Sequence, residues 1–298
     1  MIKLKICEHW SKPVTFWKTL ISVQILLVIV TGCQTTNSNK STSNNNINVS
    51  EIKNSLHEDG LGILKFNEPS PLISKNAKAP ISVLKGPDTD SSVIKFQLKH
   101  GDCGEEPNWS DCDNDRERSE LTFEKEIAKK EKWYKFKLYF TTTHKQAHPS
   151  PLSIIQWKRF SKPSRTLVMF LHLQSGLWFN QNGDTFYNSH KALVKEKDLY
   201  NRWIEVIFNT NWHPDRGKGF MRVWINGEKK VDFEGVSHSP NGEKLSLRFG
   251  LYSSWLKRFR KLFPDEKHPT REVYFDAVKG STNCEGPLSR SRCILLKN

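Results

Sequence analysis

The chain has 298 residues and a formal net charge of +14, with 36% hydrophobic and 11% aromatic residues, ten of them Trp. That is enough apolar material for a large core, and it excludes a broadly disordered chain or, beyond the N-terminus, a membrane-spanning one. All-β sandwiches of about 200–250 residues are common as single domains, so the length allows one large domain or two small ones.

Lys3, Lys5, Lys12 and Lys18 make a basic start, Leu20 to Val30 an apolar run, and Val30-Thr31-Gly32-Cys33 follows. This is the layout of a secretory signal. Its apolar core is too short for the ~20 residues that cross a bilayer. The ending is similar to a bacterial lipobox, so residues 1–32 are expected to leave as a lipoprotein signal peptide and Cys33 to be lipidated. Gln34 in place of Asp points to the outer membrane, on the periplasmic or cell-surface side. The charge falls to +11 once Lys3, Lys5, Lys12, Lys18 and Glu8 leave with the leader. Such a surface attracts polyanions. In the cell envelope the expected partner is an acidic polysaccharide and not nucleic acid, with membrane contact through the lipid alone.

Residues 33–59 read as the lipidated Cys and a polar tether, because a run of Ser, Thr, Asn, Gln and Lys has no apolar surface to bury. Residues 60–298 form the expected domain. With Cys7 gone and Cys33 acylated, Cys103, Cys112, Cys284 and Cys293 remain, an even set in an oxidising compartment, and they fall into the local pairs Cys103/Cys112 and Cys284/Cys293. Four cysteines permit three connectivities; disulfides are favoured over a metal site, since no CxxC spacing is present.

The domain reads as strands. Ile94, Phe96 and Leu98 alternate with Lys95 and Gln97; Tyr134, Phe136, Leu138 and Phe140 alternate with Lys135, Lys137 and Tyr139. Asp111, Asp113, Asp115 and Glu117 alternate like a calcium loop, but Arg116 stands where that loop needs Gly and Thr122 where it needs Glu. A solvated acidic turn is expected instead. Further strands are predicted over 152–158, 166–173, 203–209, 220–225, 230–233, 245–252 and 272–278. Asn226-Gly227 is a hairpin turn, because both residues tolerate positive φ. Residues 191–201 and 257–267 are expected to be loops or excursions, and Trp255–Phe263 is the best short helix candidate. Ten or so strands with polar turns imply an all-β fold, a β-jelly roll or concanavalin-like sandwich of two antiparallel sheets.

Five segments occur in a suggestive order: Arg116-Glu117-Arg118-Ser119-Glu120-Leu121; Ile155-Gln156-Trp157-Lys158; Trp203-Ile204-Glu205-Val206; Gly219 to Gly227; and Arg248-Phe249-Gly250-Leu251-Tyr252. Together, across roughly residues 80–280, they resemble the polysaccharide lyases that include heparin lyase I. More distantly they resemble alginate lyases, which carry an Arg-Ser-Glu-Leu strand, a Gln-x-His strand and a Lys-x-Gly-x-Tyr strand. The resemblance implies a β-jelly roll with a long groove and β-elimination beside a uronic acid. No metal or other cofactor is expected, and the protein is expected to be a monomer.

That reaction needs a neutralised carboxylate, a base for the C5 proton and an acid for the departing O4. Arg118 and Gln156 are the candidates for the carboxylate, and Tyr252 for the proton transfer, its phenol pKa lowered by flanking cations. Lys158 departs from the family pattern, which has His two residues after the Gln. It is either a base with a depressed pKa or a further clamp, with His172 a possible source of the missing imidazole. Arg116, Glu120, Trp157, His172, Arg248 and Trp255 are expected to bind substrate; Trp178 and Tyr187 are further aromatics for stacking on sugars. A cross-strand ion pair explains Arg118 and Glu120 equally simply. A non-catalytic carbohydrate-binding lipoprotein is the rival function. A glycoside hydrolase is a weaker one, since the Glu-x-Asp-x-x-Glu strand of concanavalin-like hydrolases is absent. Heparin-like, alginate-like, glucuronan-like and capsular polymers all satisfy the charge argument.

Overall fold

A computed structural model describes residues 50–52, 70–73, 80–106, 108–123, 126–127, 130–159, 165–182, 188–238 and 244–297. The expected signal peptide, Cys33, most of the tether and Tyr187 lie outside the described residues.

The chain runs through β1 (Ser70–Ile73), β2 (Ile81–Lys85), β3 (Ser92–Leu98), β4 (Glu105–Glu106), β5 (Trp109–Ser110), β6 (Arg116–Thr122), β7 (Glu126–Ile127), β8 (Glu131–Tyr139) and β9 (Leu152–Arg159). It continues through β10 (Arg165–Leu173), β11 (Gly176–Asn182), β12 (Asn188–Lys195), β13 (Trp203–Asn211), β14 (Phe220–Ile225), β15 (Glu228–Glu234), β16 (Lys244–Ser254) and β17 (Arg271–Ser281). One antiparallel sheet has the order β1-β6-β16-β9-β10-β11-β12, with β7 also on β16; the other has the order β15-β14-β13-β8-β17-β3-β2. This is the expected sandwich.

Alternation explains why the sheets close on each other. In β8, Tyr134, Phe136 and Leu138 enter the interior, and β13 answers with Ile204, Val206 and Phe208. Trp157 is fully buried there, its ring centroid 4.7 Å from Phe208 and 5.1 Å from Tyr134. A second apolar cluster covers the outer face of the other sheet. Trp133 and Trp224 stack under the C-terminal helix Arg290–Lys297, which the disulfide Cys284–Cys293 ties down. The other disulfide joins Cys103 to Cys112. Both pairs are the local ones expected.

Asn226 and Gly227 have φ of 50° and 89°, as the hairpin between β14 and β15 requires. Residues 191–195, expected in a loop, belong to strand β12 and are followed by a 3₁₀ turn at Glu196–Asp198. As an edge strand, β12 has Lys191 and Ala192 exposed and only Leu193 fully inward, so its apolar period is too weak to read. The short helix Lys257–Leu262 lies within the stretch proposed for it.

Gly250 carries the bend of β16. Its φ is +131°, a Cβ there would lie 2.4 Å from the Ser119 carbonyl oxygen, and the pairing of β16 with β9 slips between Phe249 and Tyr252. Gly250→Ala is expected to lower unfolding free energy by at least about 1–3 kcal/mol from backbone strain alone. Urea denaturation checks this; an unchanged midpoint would mean that the bend tolerates a side chain.

Candidate active site

Strand register brings the predicted residues together in rows. Arg118 of β6 faces Tyr252 of β16, which faces Ser153 of β9. Glu120 faces Gly250, and Thr122 faces Arg248, which faces Gln156. Directly paired residues share a face of the sheet, and this one is the face opposite to the core residues Leu121, Phe249 and Trp157. Arg118, Glu120, Gln156, Arg248 and Tyr252 therefore occupy one surface.

Polar contacts bind that surface into a unit. Arg118 donates from Nη2 to Asp111 Oδ1 at 2.7 Å, lies 3.8 Å from Glu120 and stacks its guanidinium 4.6 Å from the centre of the Tyr252 ring. Gln156 donates to Glu120 Oε1 at 2.7 Å. Arg118, Glu120, Gln156 and Arg248 are all at most 3% exposed, so they form a floor, with Tyr252 partly exposed above it. Ser153 Oγ, buried beside Tyr252, has no hydrogen-bond partner among the described residues.

Arg118 and Glu120 are paired within the protein, but not across strands as the simpler reading expects: Arg118 pairs with Asp111 of the preceding turn and with Glu120 of its own strand. Burial raises the Glu120 carboxyl above its ordinary range, against the pull of Arg118 and Arg248. Burial also raises the Tyr252 phenol, with Arg118 and Arg116 opposing it. The net direction is the reverse of the lowering expected from its cations, because desolvation outweighs them.

Asp111 was missed. The expected solvated acidic turn is largely not solvated: Asp111 is fully buried under Arg118 and takes the Trp109 indole N–H at 2.9 Å. Asp115 accepts the backbone N–H of Lys257 and pairs with Arg260 at 2.6 Å. Glu117, on the opposite face of β6, pairs with Arg271 and lies 2.9 Å from His268. Only Asp113 is fully exposed. The alternation was visible, but the partners of Asp115 and Glu117, Arg260 and Arg271, are remote in sequence.

At the rim, Trp255 is 43% exposed with φ +58°, and the cationic ends of Arg116, Arg258 and Lys257 lie 5.1, 5.3 and 5.8 Å from its ring centre. Arg116 and Trp255 thus stay with the site. Lys158 faces Ser246 and Thr166, on the Gln156 face but three rows from Tyr252. Five residues of β16 lie between those rows, roughly 15–20 Å of strand.

Two expected substrate residues lie elsewhere. Trp157 is a core residue, because its strand position alternates away from Gln156 and Lys158. His172 pairs with the core residue Leu152, is fully buried and lies on the interior face. It supplies no imidazole to the groove. It belongs to a buried chain, with His144 Nε2 at 3.0 Å from its Nδ1 and Glu196 at 3.1 Å from its Nε2; Glu196 in turn accepts the Tyr200 hydroxyl.

Burial first, then the neighbouring His172, lowers the His144 pKa to about 3. Below the unfolded value near 6.5 the unfolded chain takes up a proton that the folded chain refuses, until pH falls through about 3. Stability is expected to fall with acidification across that window by up to about 1.4 kcal/mol per pH unit. Chemical denaturation at successive pH values checks this, and His144→Asn should flatten the slope; equal slopes would remove His144 from the account.

Comparison with known proteins gives a family and a fold. A family model described as polysaccharide lyase matches residues 65–279. No curated protein matches the chain in sequence. Among solved structures, an endo-β-1,4-glucuronan lyase from the fungus Trichoderma reesei is similar at 15% identity and TM-score 0.53, covering 74% of this chain and 92% of that one. A family-7 alginate lyase is similar at 13% identity and TM-score 0.49, covering 69% and 84%. An alginate lyase from Pseudomonas aeruginosa is similar at 14% identity and TM-score 0.44, covering 67% and 85%.

Proposed function

The chain belongs to the polysaccharide lyase family, and on that premise we propose that it cleaves a uronic-acid polymer by β-elimination on the polar face built by β6, β16 and β9. The observation that carries this is the convergence of Arg118, Gln156, Arg248 and Tyr252 on one surface.

In this reading the cationic floor favours the uronate carboxyl group and the negative charge that develops beside it when the C5 proton leaves. The C5–H electron pair forms the C4–C5 double bond, the C4–O4 bond breaks, and O4 takes a proton. His172 is excluded by position, and Lys158 stands three rows away, so Tyr252 performs both transfers. Its phenolate takes the C5 proton and passes it to O4, ending as phenolate again. Lys158 then serves as a clamp for the acidic sugar further along the groove, and Arg116 and Trp255 hold the sugar at the opposite end.

The polymer is the finer question. A glucuronan lyase shares the fold, which makes polyglucuronate the first substrate to test, with alginate and heparin-like polymers beside it. The sequence likeness to heparin lyase I stays a reason to include the last. Elimination leaves a conjugated unsaturated uronate that absorbs in the ultraviolet, whereas hydrolysis and binding leave none. Tyr252→Phe is expected to abolish that absorbance while retaining polymer binding; full activity in this variant would overturn the assignment. Because burial raises the Tyr252 phenol, kcat/KM should climb about tenfold per pH unit into the alkaline range. A neutral bell-shaped optimum would point to a different base.

We also propose, from the sequence of the first 33 residues, that the protein is exported and held at the outer membrane by a lipid on Cys33. Labelled fatty acid should enter the wild-type protein and not Cys33→Ser, which should move to the soluble fraction. Equal labelling would refute the anchor.

A further inference from the structure

Three segments far apart in the chain meet beside the groove: His100 after β3, Glu117 in β6 and His268 just before β17. His100 Nδ1 lies 3.2 Å from His268 Nδ1, His268 Nδ1 lies 2.9 Å from Glu117 Oε1, and His100 Nδ1 lies 3.6 Å from Glu117 Oε1. A tetrahedral zinc ion with ligands at about 2.0–2.1 Å sets its ligand atoms about 3.3 Å apart. The three observed edges bracket that value.

Proton counting singles out the same point. A neutral imidazole donates from only one of its nitrogens. A proton on Nδ1 of His268 would face both Glu117 Oε1 and His100 Nδ1, while the backbone N–H of His268 also approaches His100 Nδ1 at 3.4 Å. A divalent ion would meet all three lone pairs at once. The outer contacts suit a ligand carboxylate: Arg271 donates to Glu117 Oε2, leaving Oε1 toward the imidazoles, and Gly101 N–H fixes Oε1 at 2.8 Å. The Glu117 and His268 side chains are 3% and 1% exposed, whereas His100 is 42% exposed, so the cluster meets solvent at the His100 side chain.

We propose that His100 Nδ1, Glu117 Oε1 and His268 Nδ1 bind one Zn²⁺ with water as the fourth ligand. The set is distinct from the elimination site, because Glu117 lies on the opposite face of β6 from Arg118 and Glu120. The ion joins the ends of both sheets to the segment before β17. The ring of His268 packs 5.2 Å from Phe259 of the helix Lys257–Leu262, which begins two residues after Trp255, so zinc steadies the rim of the groove.

The test uses the purified full chain, stripped with chelator and titrated with zinc at neutral pH. One equivalent is expected to bind and raise Tm, and Co²⁺ is expected to give the intense visible bands of tetrahedral coordination. His268→Ala opens a buried site and can fail to fold, so the deciding variant is His100→Asn at the exposed position. It should keep the metal-free Tm and lose zinc affinity at least tenfold together with the zinc-dependent rise. No zinc binding by the wild-type chain, an octahedral cobalt spectrum, or wild-type affinity in His100→Asn would each overturn the site. None of these readouts depends on lyase activity.

Discussion

The ion pair between Arg118 and Asp111 is the contact on which both fold and site depend. A guanidinium that is 3% exposed needs anionic partners, because taking a charge out of water is costly unless it is paired and hydrogen-bonded. Glu120 lies two residues along the same strand, but Asp111 must be delivered from a loop. The Cys103–Cys112 disulfide closes that loop next to Asp111, the Asp111 N–H bonds to Gly104 O, and the Arg118 N–H bonds to Asp102 O. The loop is thereby laid over the end of β6 with its carboxylate aimed at the guanidinium. Gly104 is required at the contact, since a Cβ there would lie 2.7 Å from Asp111 Oδ2.

From that pair the site is built outward. Arg118 is fixed at one end, so its planar face supports the Tyr252 ring, and Glu120 is left to accept from Gln156. The bend at Gly250 sets Tyr252 and Arg248 on one face despite the slip in register against β9. Alternation in β6 gives a second result. Arg118 and Glu120 turn to the groove, while Glu117 turns to Arg271 and His268. A single strand thus ties the groove floor to the opposite sheet, and a shift of one residue would exchange the two sets of partners.

The sheet architecture was legible because the sequence alternates cleanly wherever one face meets the core. Phe220–Ile225 was located to the residue, and Asn226-Gly227 marked its hairpin. What failed to show were elements whose partners are not periodic, such as β12 at an edge and the C-terminal helix, whose packing rests on Trp133 and Trp224 from distant strands. The site was legible in part for the same reason. Arg118, Gln156 and Tyr252 fall on one face through alternation in three strands. Trp157 was misjudged despite that rule, since its strand position assigns it to the side opposite Gln156. His172 was misjudged for the same reason, since within β10 it alternates in phase with the core residues Val168 and Phe170.

A buried and largely compensated floor has a consequence for recognition. Arg118 already faces Asp111 and Glu120, so its full charge is not presented to an anion in the groove. Burial favours retention of a proton by Glu120, and to the extent that it is protonated the floor becomes more positive where a carboxylate would lie. Of the cations around Trp255, Arg116 is half-buried, while Lys257 and Arg258 are exposed, screened by solvent and adjustable. They suit attraction of an extended polyanion more than selection of one linkage. If the proposed site is the one used, choice between uronate polymers falls to the rigid floor beside Tyr252 and Ser153, and capture falls to the rim.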